Sequence, residues 1–195
     1  MKMNYRRVWL LSAAAVLAGV LIATNFGLRP GFSSGAATPV ALDALDRSAP
    51  TEPLAIDFAA VDLGGQPFHG IDLKGRIVLL DFWAVWCPPC LDAFSKLTEL
   101  ARELEGEPFE LVGIALYSGD YEDVGEFLEA YEAVYLNVVG EEDLAFRYGV
   151  IGYPTYLLID PQGAVFKRYV GALPGLEERV KADVRELKDK YGLDP

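Results

Sequence analysis

Cysteine occurs only twice in these 195 residues, and histidine once, at His69. A closed structural zinc site draws on about four ligands, mostly cysteine and histidine, so the chain is too poor in both to build one. Two cysteines are also too few for a small scaffold held together by disulfides. Positive charge is scarce: seventeen lysines and arginines face twenty-nine aspartates and glutamates, a formal net charge of −12. Residues 1–30 hold four of those basic groups (Lys2, Arg6, Arg7, Arg29) and no acid, leaving thirteen against twenty-nine, or −16, beyond them. Such a surface repels phosphate backbones, so no nucleic acid is expected as a partner. Solubility is the plain account of the acidity. No internal repeat is present.

What the chain does have is apolar sequence, 52% by composition, which suffices for one domain with a real core. The most apolar stretch comes first. After Lys2, Arg6 and Arg7, residues 8–28 (VWLLSAAAVLAGVLIATNFGL) carry no charge. As a helix they would span about 31 Å, close to the hydrocarbon thickness of a bilayer. Basic residues ahead of the run hold that end in the cytoplasm and send the rest across. Positions 21–25 (LIATN) lack the small-x-small pattern of a cleavage site, which favours an uncleaved anchor over a removed signal. Both place the domain outside the cytoplasm, on the periplasmic side of the inner membrane. Residues 29–53, rich in Gly, Ala, Ser and Pro, read as a flexible linker, and 54–192 as the folded domain.

Within that domain the pattern alternates. Residues 54–73 suggest a β-hairpin about the Gly64-Gly65 turn, and RIVLLDFWA (76–84) a strand buried on both faces. A helix over 88–104, a strand over 109–116, and a helix capped by the Ser118-Gly119-Asp120 stretch follow. Then come a strand over 134–139, a short helix over 141–148, two strands joined by the Asp160–Gly163 turn, and a last helix ending at Gly192. The layout predicts an α/β fold with a central mixed sheet flanked by helices.

The two cysteines stand together in WCPPC (86–90). Cys87 falls where a buried strand meets the first turn of a helix, and Cys90 lies one turn in, so the sulfurs come within disulfide reach. The positive end of the helix favours a thiolate at Cys87. The expectation is an exposed nucleophile at Cys87 and a buried resolving thiol at Cys90, exchanging disulfides through a mixed disulfide. A bridge closing so short a loop would constrain the unfolded chain little, which argues against a purely structural role. Pro88 and Pro89 suit a first helical turn, where amide hydrogens lack helical partners. Pro89 also removes an amide that could have stabilised the Cys87 thiolate, predicting a moderately reducing site.

Two further features converge on the pair. Asp81 sits inside an apolar strand, where a buried carboxylate is costly and its pKa rises, so it could take the proton from Cys90. Pro154 stands just before a strand, and a cis bond there would leave the Tyr153 backbone free to pair a substrate segment. Trp86 is expected to wall the site, with Trp83 as a second candidate. His69 reads as a turn or surface residue.

VLLDFWAVWCPPC followed by YGVIGYPTYLLIDPQGAVFKRYVG resembles the thioredoxin-like superfamily. The lead-in FAAVDLGGQPFHGIDLKGRIVLL is similar to that of its membrane-anchored TlpA/ResA/DsbE branch. The resemblance implies a thioredoxin-like fold with an N-terminal β-hairpin extension behind a transmembrane helix, and a cis peptide before Pro154. It implies an extracytoplasmic thiol–disulfide oxidoreductase that reduces protein disulfides and needs no cofactor beyond its own redox-active disulfide. Cys87, Cys90 and Asp81 would be catalytic, and Trp86, Pro88, Tyr153 and Pro154 would contact substrate. Its partners would be apocytochrome c or copper-site proteins, with a membrane thiol-transfer protein as electron donor. Three positions depart from that branch: Ala93 replaces a frequent glutamate, Thr155 a frequent acid, and Asp81 a frequent asparagine. Two alternatives follow from related families. An AhpC/TSA peroxidase shares the lead-in, but its P-x-x-x-T-x-x-C pattern meets Ala84 here; a Sco-like copper module has C-x-x-x-C spacing, which is absent.

Overall fold

The computed structural model describes residues 55–131 and 133–193; the anchor and linker expected over 1–53 lie outside them. The chain orders as β1 (Ala59–Asp62), β2 (Pro67–His69), a 3-10 turn (Gly70–Leu73), β3 (Ile77–Trp83), α1 (Pro88–Leu91) and α2 (Phe94–Glu103). It continues with β4 (Phe109–Ala115), α3 (Tyr121–Glu129), β5 (Leu136–Gly140), α4 (Asp143–Arg147), β6 (Thr155–Ile159), β7 (Val165–Val170) and α5 (Leu176–Tyr191). Among the described residues no helix is long and apolar enough to cross a membrane.

All seven strands form one sheet in the order β2-β1-β5-β4-β3-β6-β7. The pairs β3–β4 and β4–β5 are parallel, and the rest are antiparallel. The helical crossovers between β3, β4 and β5 impose the parallel pairs, because parallel neighbours cannot be joined by a tight turn. β3 lies inside the sheet, and every one of its residues, IVLLDFW, is buried. A run that is apolar at every position but Asp81 is what a strand covered on both faces calls for.

Successive side chains on a strand point to opposite faces. Ile77, Leu79 and Trp83 join the core beneath α1, α2, α3 and α5, together with Phe94, Leu97, Val124, Val180 and both cysteines. Val78, Leu80 and Phe82 join the opposite core with Ile56, Phe58, Leu144 and Tyr148. Asp81 has the parity of the first set. Asp120 caps α3 as expected, in a capping box with Asp123. Two boundaries differ from the sequence pattern. The helix expected over 88–104 is two pieces, because at Ala93 the amide pairs three residues back, with Cys90, and α2 restarts at Phe94. The strand expected at 134 begins at Leu136, which leaves Tyr135 just ahead of β5.

Candidate active site

β3 ends at Trp83, and a four-residue loop delivers the chain into α1 with Cys87 at its N-cap and prolines at its first two positions. The loop is held from two sides. The Val85 amide donates to Ser118 Oγ at 3.1 Å, and Ser118 Oγ donates to the Leu116 carbonyl at 2.8 Å. The Cys87 amide donates back to the Ala84 carbonyl at 3.0 Å. Cys87 and Cys90 are joined in a disulfide, with their Cα atoms 5.3 Å apart. The Cys90 amide is spent on the Cys87 carbonyl at 2.9 Å, and the Cys87 side chain accepts no capping hydrogen bond.

The exposed nucleophile expected at Cys87 needs correction: in the disulfide its exposure is 4%, against 1% for Cys90. What separates the two is the cleft. Cys87 lines an open, mostly apolar cleft of about 530 Å³, and Cys90 does not. Trp86, Pro88 and Tyr153, all named from the sequence, line the same cleft, joined by Tyr117 and Ile151. The Trp86 indole donates to the Tyr117 carbonyl at 3.1 Å and meets the Tyr153 ring edge-on at 5.4 Å. Trp86 remains 58% exposed and Ile151 94%, and their meeting with Tyr117 in one cleft makes an apolar patch suited to contact. The Tyr153–Pro154 bond is cis, as expected. Trp83 walls nothing: it is fully buried and donates to Asn137 Oδ1 at 3.1 Å.

Asp81 is 2% exposed, in the middle of β3. Oδ2 accepts a hydrogen bond from the Tyr135 hydroxyl at 3.3 Å, while Oδ1 is buried with no partner. Burial pushes the Asp81 carboxyl up to about 7, against a smaller downward pull from Tyr135. Burial, and then the charge of Asp81, push Tyr135 well above its ordinary range, so it stays a donor. A carboxyl poised near neutral pH both accepts and gives a proton readily. It shares its sheet face with the buried Cys90.

Sequence reasoning passed over Tyr117 and Tyr135, and read Ser118 only as part of a helix cap. Tyr117 had a usable signal, since SGD marks a turn directly after a buried strand, and its backbone is indeed left-handed at φ 52. Tyr135 had none: its contact with Asp81 spans 54 positions. Among the described residues no group of three or more His, Cys, Asp or Glu side chains is placed to hold a metal ion.

Residues 52–168 match the AhpC/TSA family. Thiol-disulfide oxidoreductase ResA of Bacillus thuringiensis subsp. konkukian (strain 97-27) is 30% identical over 137 residues, covering 70% of this chain and 75% of that protein. Thioredoxin-like protein YneN of Bacillus subtilis (strain 168) is 28% identical over 132 residues, covering 67% and 77%. Among solved structures, a protein of Chlorobium tepidum assigned as the thiol:disulfide interchange protein DsbE superposes with a TM-score of 0.62 at 29% identity, over 69% of this chain and 94% of that one. With a bridged C-x-x-C at the mouth of a cleft and a thioredoxin-like sheet behind it, the chain belongs to the AhpC/TSA family as a thiol–disulfide oxidoreductase of the TlpA/ResA/DsbE type.

Proposed function

We propose that this oxidoreductase works as a reductase of protein disulfides outside the cytoplasm, with Cys87 as nucleophile and Cys90 as resolving thiol. The observation that carries the assignment of roles is that Cys87 lines the apolar cleft while Cys90 lies behind it on the face of Asp81. The Cys87 thiolate attacks one sulfur of the substrate disulfide and bonds to it as a mixed disulfide, while the other sulfur leaves as a thiolate and takes a proton from solvent. Asp81 then accepts the proton of Cys90. The Cys90 sulfur attacks Cys87, the intramolecular bridge forms, and the second substrate sulfur departs. Two electrons pass from the dithiol to the substrate. Trp86, Pro88 and Tyr153 bind an extended substrate segment, and Pro154 shapes the Tyr153 backbone for edge-on pairing. Electrons return from a membrane thiol-transfer protein. Residues 1–28 would anchor the domain beside that donor, and apocytochrome c or copper-site proteins would be the substrates.

Trapping tests the division of labour. Cys90→Ser should accumulate mixed disulfides with extracytoplasmic proteins, visible as reducible high-mass bands, and Cys87→Ser should accumulate none. Equal trapping by both variants would overturn the assignment.

The direction of flow has its own test. With Pro89 lacking an amide and the Cys90 amide already engaged, the thiolate is stabilised weakly. The reduction potential should therefore lie well below the roughly −120 mV of a strong oxidant such as DsbA. Pro89→Ala restores a donor to a charged sulfur, a bond of about 1.5–3 kcal/mol, and should raise the potential by about 30–60 mV. No rise in glutathione titrations would remove the amide explanation.

A further inference from the structure

Asp81 must lose its proton once per cycle, yet it is 2% exposed and its strand is covered on both faces. The question is where that proton goes. Asp81 lies directly opposite Tyr156 in the β3–β6 register. Opposed residues of an antiparallel pair share a face, with Cβ atoms about 4.5–5.5 Å apart. Tyr156 is itself fully buried among the residues under α2 and α5. It also forms part of the wall of a second cavity, of about 210 Å³, separate from the substrate cleft. That volume has room for several waters at about 30 Å³ each. Pro89 of the active-site turn borders it on one side, and Glu177, Lys96 and Asp92 bring charge to it on the others. Glu177, in the first turn of α5, faces Lys96 across 3.9 Å, with side-chain exposures of 23% and 64%.

We propose that Tyr156 and this cavity are the proton outlet of Asp81, leading through water to Glu177 and the surface. This rests on the reading of Asp81 as the acceptor of the Cys90 proton. Asp81 does not itself border the cavity, so its proton passes to the Tyr156 hydroxyl as that hydroxyl gives its own to cavity water, and Glu177 hands the proton to bulk solvent beside Lys96. The phenol never ionises on this path: burial pushes its pKa far up, and the charges of Asp81 and Glu177 push it further. That both carboxylates act on one phenol is what a hydroxyl standing between them requires. Two other titratable groups face Asp81, and one of them, Tyr135, borders a different cavity with Glu105 and Glu110, so the rescue of Tyr156→Phe is what separates the two exits. Tyr135 donates to Oδ2, and Cys90 is the proton's source.

Chemical rescue tests the route in the full chain. Tyr156→Phe keeps the ring and removes the hydroxyl, and Glu177→Gln keeps the shape and removes the base. Catalysed insulin reduction should fall roughly tenfold in both near pH 6.5, a part of the roughly 100- to 10,000-fold that a positioned proton-transfer group supplies. The loss should shrink as pH rises, and imidazole, a small proton carrier that fits the cavity, should restore the rate. Tyr169→Phe, on the same face but outside the cavity wall, should keep the wild-type pH profile. A Tyr156→Phe enzyme with wild-type rates, or one slowed equally at every pH and deaf to imidazole, overturns the outlet. If Asp81→Asn is also as fast as wild type, the failure lies in the Asp81 reading; if Asp81→Asn is slow, it lies in the route alone.

Discussion

Replacing Asp81 with asparagine is expected to make the domain more stable and the enzyme slower. In the folded chain burial moves this carboxyl from the ordinary 3.8 to about 7. Below the lower value both folded and unfolded chains carry the proton, and Asp81 costs nothing. Between the two values the folded chain holds a proton that the unfolded chain has released, so stability falls as pH rises, and above about 7 the loss is complete. Three pKa units correspond to about 4 kcal/mol. Asparagine fills the same space with no charge to desolvate and can still accept from Tyr135. At a pH near 8 the variant should therefore melt roughly 10 °C higher than wild type for a domain of this size, with the gap closing below about pH 4. Equal melting temperatures at alkaline pH would mean that the carboxylate is solvated after all. Resolution of the mixed disulfide should slow by about 100-fold or more, the size of effect that a positioned proton acceptor supplies.

Gly113→Ala should cost the domain about 3 kcal/mol. Gly113 stands beside Asp81 on β4 and opposite Asn137 on β5. A Cβ there would lie 2.0 Å from Asn137 Oδ1, 2.9 Å from its Cγ and 3.0 Å from Trp83 Nε1. All three atoms belong to short or rigid side chains in the sheet centre, tied together by the indole hydrogen bond to Asn137. Relief must come from moving Trp83, which is fully buried, or from breaking that bond. Overpacking of about 1–3 kcal/mol and a lost buried hydrogen bond of about 1 kcal/mol then combine. The urea midpoint should drop with the slope unchanged. Adding Asn137→Ala should cost less than the two single changes together if the clash is the cause. An unshifted midpoint would show that the strands can part without penalty.

Much of the architecture was legible because β3, β4 and β6 are apolar runs too continuous to be surface strands, and the helices between them carry apolar residues at helical spacing. WCPPC and the pre-strand YP announced the site because cysteine and proline constrain chemistry and backbone wherever they fall. Asp81 was legible for the opposite reason, as a charge where only apolar residues belong. The unread parts share a physical cause. The cleft beside Cys87 is assembled from Trp86, Tyr117 and Tyr153, which come from three separate segments. Tyr135 reaches Asp81 only once β5 is laid beside β4. Trp83, the second candidate for the cleft wall, is turned by strand alternation into the core, onto Asn137. The break at Ala93 hangs on one amide choosing a carbonyl three residues back, which apolar spacing does not reveal.

Asp81, the proposed acid–base group, is seated on an interior strand with hydrogen-bonded neighbours on either side and packed layers above and below. Such strands yield to solvent only when the entire domain comes apart, unlike loops and chain ends, which fray independently. The consequence, on the roles proposed, is a division of temperament: the exposed cleft residues can adapt to differently shaped clients, while the surroundings of Asp81 keep the same dielectric from one encounter to the next.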